Sequence, residues 1–111
     1  MDYQLLGKNI RKYRIQLGMK QDELAEQVGC TGSHIGQIEN NHGIPSLEMA
    51  VNIANALHTT VDQLVIDSLD CPEIVYLRDM EQRIRSMPMP VKLLTCEILQ
   101  DMMGIIEKAH T

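Results

Sequence analysis

Apolar residues recur at spacings of three and four along most of this chain, and short polar or glycine-bearing breaks separate the runs. Leu6, Ile10, Tyr13 and Leu17 share one face of a helix predicted from about Gln4 to Leu17, which Gly18 stops. Leu24, Ala25 and Val28 fall on one face of a second helix, Gln21 to Val28, whose first turn carries acids where the helix dipole favours them. Gly29 ends it. Thr31 can cap a third helix to about Asn40 that turns Ile35 and Ile38 inward, and Asn41-His42-Gly43-Ile44-Pro45 is a break. Ser46 caps a fourth helix to about Leu57 with Leu47, Ala50, Val51, Ala54 and Leu57 as its expected buried stripe. Thr60 and Gln63 form the capping-box pattern of a short fifth helix ending near Ile66.

After these five short helices the pattern changes. Asp67 to Cys71 reads as a linker, being polar and followed by Pro72. Two longer helices are predicted, from about Pro72 to Met87 and from Pro90 to about Ala109. Pro88-Met89-Pro90 forces the turn between them, so they should form a hairpin. Ile74, Leu77, Met80, Ile84 and Met87 line the first. Leu94, Ile98, Met102, Ile105 and Ala109 line the second, with Val91, Leu99, Met103 and Ile106 widening its apolar surface.

Composition supports an all-α chain. With 111 residues, no Phe or Trp and only 3 Tyr, the core must be built from Leu, Ile, Val, Met and Ala, and the length suits one small domain with an appendage. No run approaches the roughly 18 apolar residues of a membrane helix, and the N-terminus lacks a basic region followed by an apolar one, so a soluble cytoplasmic protein is expected. Cys30, Cys71 and Cys96 are odd in number, widely spaced and free of any CxxC pair, which argues against a disulfide framework and against zinc. His34, His42, His58 and His110 have no metal-ligand spacing, and no phosphate-cradling glycine loop or catalytic motif is present. Neither an enzyme nor a cofactor or metal requirement is expected.

The net charge of −5 opposes nucleic-acid binding taken alone, but its distribution does not. Residues 8 to 20 carry Lys8, Arg11, Lys12, Arg14 and Lys20 with no acid, and residues 27 to 47 carry a single acid, Glu39. Directly after the first stretch, and running into the second, stand two short helices joined by Gly29-Cys30-Thr31, with small Ala25 allowing close approach and Ile35 and Ile38 fastening the second helix. That is the helix-turn-helix arrangement.

The residues Arg14-Ile15-Gln16-Leu17-Gly18-Met19-Lys20-Gln21-Asp22-Glu23-Leu24-Ala25, then Gly29, Ile35, Ile38-Glu39-Asn40 and Pro45-Ser46-Leu47, resemble the phage repressor and Cro-like helix-turn-helix family over about residues 6 to 66. The resemblance implies a five-helix lambda-repressor-like DNA-binding domain at 1–66; it says nothing of 67–111, where the residue pattern itself gives the C-terminal two-helix hairpin, the expected dimerisation region. It implies that the helix from Thr31 lies in the major groove of double-stranded DNA, with Gly32, Ser33, Gly36 and Gln37, together with Thr31 at its start and Asn40 at its end, facing the DNA. A Gln amide matches adenine N6 and N7, which makes Gln37 the first choice for base readout and Ser33 the second. Gly32 and Gly36 leave the groove few side chains, so DNA shape should contribute. Gln21, Asn40, Asn41 and His42 match phosphate-contacting positions, and Arg14 and Glu39 match a buried family salt bridge. The sequence departs from the family at Lys20, where a Ser or Thr cap is common, and at Asn41, where Gly is common.

Operators read by such proteins are twofold, so a partner subunit is expected, and the apolar surface of Leu94, Ile98, Met102, Ile105 and Ile106 is its expected source. The same surface could instead fold back on the first five helices. The expected activity is a homodimeric, sequence-specific transcriptional regulator, a repressor because no separate effector domain is visible. The competing readings are an antitoxin of a toxin-antitoxin pair and a protein-interaction module that has lost DNA binding. The operator and any small-molecule or protein effector lie beyond the sequence.

Overall fold

The computed structural model describes residues 1–110. Among them are seven α-helices and no strand: α1 Tyr3–Gln16, α2 Gln21–Val28, α3 Gly32–Glu39, α4 Leu47–Ala56, α5 Val61–Leu64, α6 Glu73–Arg85 and α7 Met89–Ala109, with a 3-10 turn at Ile66–Ser68. The chain divides into two compact units, Met1–Pro72 and the residues from Glu73 onward.

Side chains set most starts in the first unit. Asp2 accepts from the amides of Gln4 and Leu5, Thr31 from His34, Ser46 from Met49 and Thr60 from Gln63, each satisfying an otherwise orphaned helix donor. The Thr60 box is one-sided, because the Gln63 side chain does not return to Thr60 and its Oε1 accepts instead from the Tyr13 hydroxyl at 3.3 Å. Lys20 gives α2 no side-chain cap. Gly29 takes the left-handed backbone at φ 77°, a conformation that costs other residues sterically, and α2 ends there.

The core joins Leu6 and Ile10 of α1, Leu24, Ala25 and Val28 of α2, Ile35 and Ile38 of α3, Ile53 and Ala54 of α4, with Leu57 and Leu64. Four positions differ from the periodicity. Leu17 is the C-cap of α1 and exposed, its place in the buried stripe taken by Arg14. On α4, Leu47 and Val51 are exposed, while Ile53 is fully buried. The inward stripe of that helix runs through Ala50, Ile53, Ala54 and Leu57; Val51 lies one step off it, and Leu47 stands in the first turn beyond the edge of the core.

Gly7 positions α1 against α3. A Cβ there would overlap the backbone carbonyl oxygens of Ile38 and Glu39, so only glycine lets α1 lie against the last turn of α3. The two ends of this unit are tied together. The Asp2 amide donates to Ser68 Oγ at 3.0 Å, and Asn9 Nδ2 donates to the Leu64 carbonyl at 2.9 Å and to Asp67 Oδ2 at 2.8 Å. The segment expected to begin as a linker at Asp67 therefore begins as a turn fastened to α1, and the first unit extends to Pro72.

The second unit is different in kind. Thr95 Oγ1 donates to the Val91 carbonyl at 2.8 Å and stands 3.3 Å from Met87 Sδ across the turn between α6 and α7, and Pro90 occupies the first turn of α7. A cavity of about 160 Å³ lies between the helices, lined by Met80, Arg83, Ile84, Met87, Thr95 and Leu99. Neither helix buries a single residue. Arg83 with Asp79 and Arg85 with Glu81 form exposed pairs one turn apart, each worth only about 0.3–0.5 kcal/mol.

Candidate nucleic-acid interface

One buried polar network ties α1, the turn after it and the start of α2 to the end of α3. Arg14 Nε meets Glu39 Oε2 at 2.7 Å and Arg14 Nη2 meets Glu39 Oε1 at 2.9 Å, a bidentate pair with both residues buried. The same guanidinium donates through Nη1 to the Met19 carbonyl at 2.8 Å, holding the turn between α1 and α2. Glu39 Oε1 also accepts from Gln21 Nε2 at 3.3 Å, so the first residue of α2 is tied to the last residue of α3. The carboxylate hydrogen bond keeps Arg14 charged, raising its pKa above the ordinary arginine value against the opposing effect of burial. No buried side-chain polar atom among the described residues lacks a partner.

With α3 held this way, its inward residues are Ile35 and Ile38, while Thr31, Ser33, Gln37 and Asn40 are exposed. Ser33 and Gln37 are one turn apart and share a face with Asn40. His34 is half-buried on the flank. Gly32 and Gly36 do not present bare backbone: Asp22 lies against the first and Gln21 against the second.

Beyond Asn40 the chain closes in a Schellman motif, with the His42 amide donating to the Gln37 carbonyl at 2.7 Å and the Asn41 amide to the Ile38 carbonyl at 3.3 Å. Asn41 supplies the left-handed residue, φ 62°, that glycine would otherwise supply; asparagine is among the few side chains that adopt it readily. This turn sets Asn40, Asn41 and His42 at the edge of the α3 surface, all exposed.

A groove of about 350 Å³ runs alongside, lined by Gln4, Lys8 and Arg11 of α1 and by Glu39, Asn40 and Asn41. The basic run at residues 8 to 20 is plain in the sequence, but its meeting with Asn40 and Asn41 is not. The usable signal was spacing, since positions 4, 8 and 11 share one helical face. Glu39 is the one acid in the lining, and its charge is engaged by Arg14. The groove therefore offers two cations and several amides to an anion. Lys12, by contrast, stands over the Tyr13 ring at 5.9 Å.

Among the described residues no cluster of His, Cys, Asp and Glu could hold a metal ion, and no helix is long and apolar enough to cross a membrane. Cys30, in the turn between α2 and α3, is half-buried, and burial pushes its thiol pKa up.

A family model described as helix-turn-helix matches residues 10–64. An uncharacterised HTH-type transcriptional regulator of Methanothermobacter thermautotrophicus is 48% identical over 48 residues, 43% of this chain and 70% of that protein. Among solved structures, the restriction-modification controller protein C.AhdI from Aeromonas hydrophila aligns with a TM-score of 0.55 and 28% identity, over 57% of this chain and 96% of that one. The structure of a SinR protein/SinI protein complex aligns with a TM-score of 0.54 and 25% identity, over 86% of this chain and 97% of that one.

Proposed function

The chain belongs to the helix-turn-helix family of transcriptional regulators, and on that premise we propose that it binds an operator in double-stranded DNA as a homodimer and represses by occupying it. The observation that carries this reading is the α2–α3 pair, clamped through Arg14 and Glu39, with Ser33 and Gln37 exposed on its outer face. Gln37 reads adenine and Ser33 a neighbouring base or phosphate. The uncapped first turn of α2 at Gln21, the loop at Asn40, Asn41 and His42, and the groove of Lys8 and Arg11 take the phosphates on either side.

The hairpin supplies the second subunit. Leu94, Ile98, Met102, Ile105 and Ile106 are all exposed on a helix that buries nothing, more apolar surface than a monomer normally leaves in water. A second copy is the occupant that operator symmetry calls for, since a dimer can set two α3 helices about 34 Å apart, one turn of DNA. Occupancy of DNA needs nothing beyond these two units.

Selection of duplexes from a random pool by the purified chain tests the reading. The expected product is an inverted repeat whose affinity falls steeply with salt and is lost in the Ser33→Ala, Gln37→Ala double variant. Failure to bind any duplex at low salt would leave the fold without this function.

A further inference from the structure

Gly32 and Gly36 lie one turn apart on α3 and form a notch that the first turn of α2 fills. A Cβ at Gly36 would stand 3.4 Å from Gln21 Oε1 and 3.6 Å from Gln21 Nε2. A Cβ at Gly32 would overlap Asp22 Oδ1 and stand 3.4 Å from the Asp22 Cα. The two occupants differ in what they have left to offer. Gln21 is half-buried and spends its amide on Glu39. Asp22 is exposed, and its carboxylate makes no hydrogen bond or ion pair among the described residues. That carboxylate therefore sits, unpartnered, where a side chain of residue 32 would begin, at the position preceding Ser33 in the chain.

We propose that Asp22 is a base-reading residue which takes the place of the side chain that Gly32 lacks and selects cytosine in the major groove. This rests on the DNA-binding reading above. A carboxylate at neutral pH only accepts hydrogen bonds. Guanine turns two acceptors, N7 and O6, to the major groove, and thymine turns O4 and a methyl group. Adenine pairs its N6 donor with the N7 acceptor beside it, which repels a carboxylate. Cytosine presents N4–H₂ alone. An acid at this place also repels the flanking phosphates, so it lowers affinity for DNA in general while it discriminates at one base pair. Loss of the charge should therefore move affinity and specificity in opposite directions. A carboxylate that only neutralises the helix dipole of α2 would not do this.

The test uses the full chain and the half-site obtained by selection, with each base pair replaced in turn by the other three. The wild type is expected to prefer cytosine at one position by about tenfold, the scale of a single good base contact. Asp22→Asn and Asp22→Ala should reduce that preference to within about twofold, leave the positions read by Ser33 and Gln37 unchanged, and bind random-sequence duplex more tightly than the wild type. Thermal unfolding of both variants verifies that they are folded, which an exposed position makes the expected result. A change uniform across all positions, an undiminished cytosine preference, or a site with no cytosine preference at all overturns the assignment of Asp22 while leaving DNA binding intact. Wild type that selects no duplex overturns the DNA-binding reading and this one with it.

Discussion

Arg14 and Glu39, twenty-five residues apart in sequence, meet through two parallel hydrogen bonds of 2.7 and 2.9 Å in the interior of the first unit. The pair joins α1 to the end of α3, and removing either partner leaves the other charge buried. Glu39→Ala or Arg14→Ala is expected to lower stability by about 3–5 kcal/mol, read as a shift in the denaturant midpoint with an unchanged slope. Arg14→Met combined with Glu39→Leu should recover part of that loss, since an apolar pair removes both buried charges but takes a partner from the Met19 carbonyl and the Gln21 amide. If the single variants unfold with the wild type, the pair does not hold α3.

Gly7 tests how closely α1 must lie on α3. Gly7→Ala forces a methyl group into the Ile38 and Glu39 carbonyls and should cost about 1–3 kcal/mol by overpacking, although alanine is the better helix former. DNA affinity should fall by more than stability predicts, because the displaced backbone is the end of α3. Gly104, with open space around it, is the control: Gly104→Ala should be neutral or stabilising by up to about 1 kcal/mol.

The hairpin predicts a dependence on concentration. Ile98→Glu places a charge on the exposed apolar face of α7 and should convert a dimer to a monomer in sedimentation equilibrium. Operator affinity should then fall by at least about tenfold, as a second half-site contact is lost. A variant that remains dimeric would place the association surface elsewhere.

Cys30 gives a chemical readout of the helix-turn-helix. Its half-buried thiol, with a pKa raised by burial, should react with iodoacetamide more slowly than exposed Cys71 and Cys96, and its rate should rise at higher pH than that of a free thiol. The sign for stability follows. The neutral thiol is favoured in the fold, so its contribution is complete below the ordinary thiol pKa and is lost as pH rises through the raised value. Cys30→Ser should remove that dependence.

Local signals carried the sequence reading furthest. The bounds of α2 and the caps at Thr31, Ser46 and Thr60 depend on a few adjacent residues, and periodicity plus capping chemistry suffices for them. Periodicity does not say where a core stops. Periodicity alone therefore turns Leu47 and Val51 inward and leaves out Ile53, and only packing of α4 on its neighbours separates them. The site divides the same way. Ser33 and Gln37 were legible from their register with Ile35 and Ile38, whereas the contact of Gly32 with Asp22, and the groove that Lys8 and Arg11 share with Asn40 and Asn41, join segments distant in sequence.

The absence of any buried residue in α6 and α7 reaches beyond the question of oligomeric state. On the homodimeric reading, these helices finish folding only against a copy, so the amount of protein in the cell sets both how much dimer exists and how ordered each chain is. Operator occupancy would then climb with roughly the square of the monomer concentration when dimer is scarce. The hairpin would act as a dosage gauge, converting a modest change in synthesis or degradation into a sharp change in the output of the genes it governs.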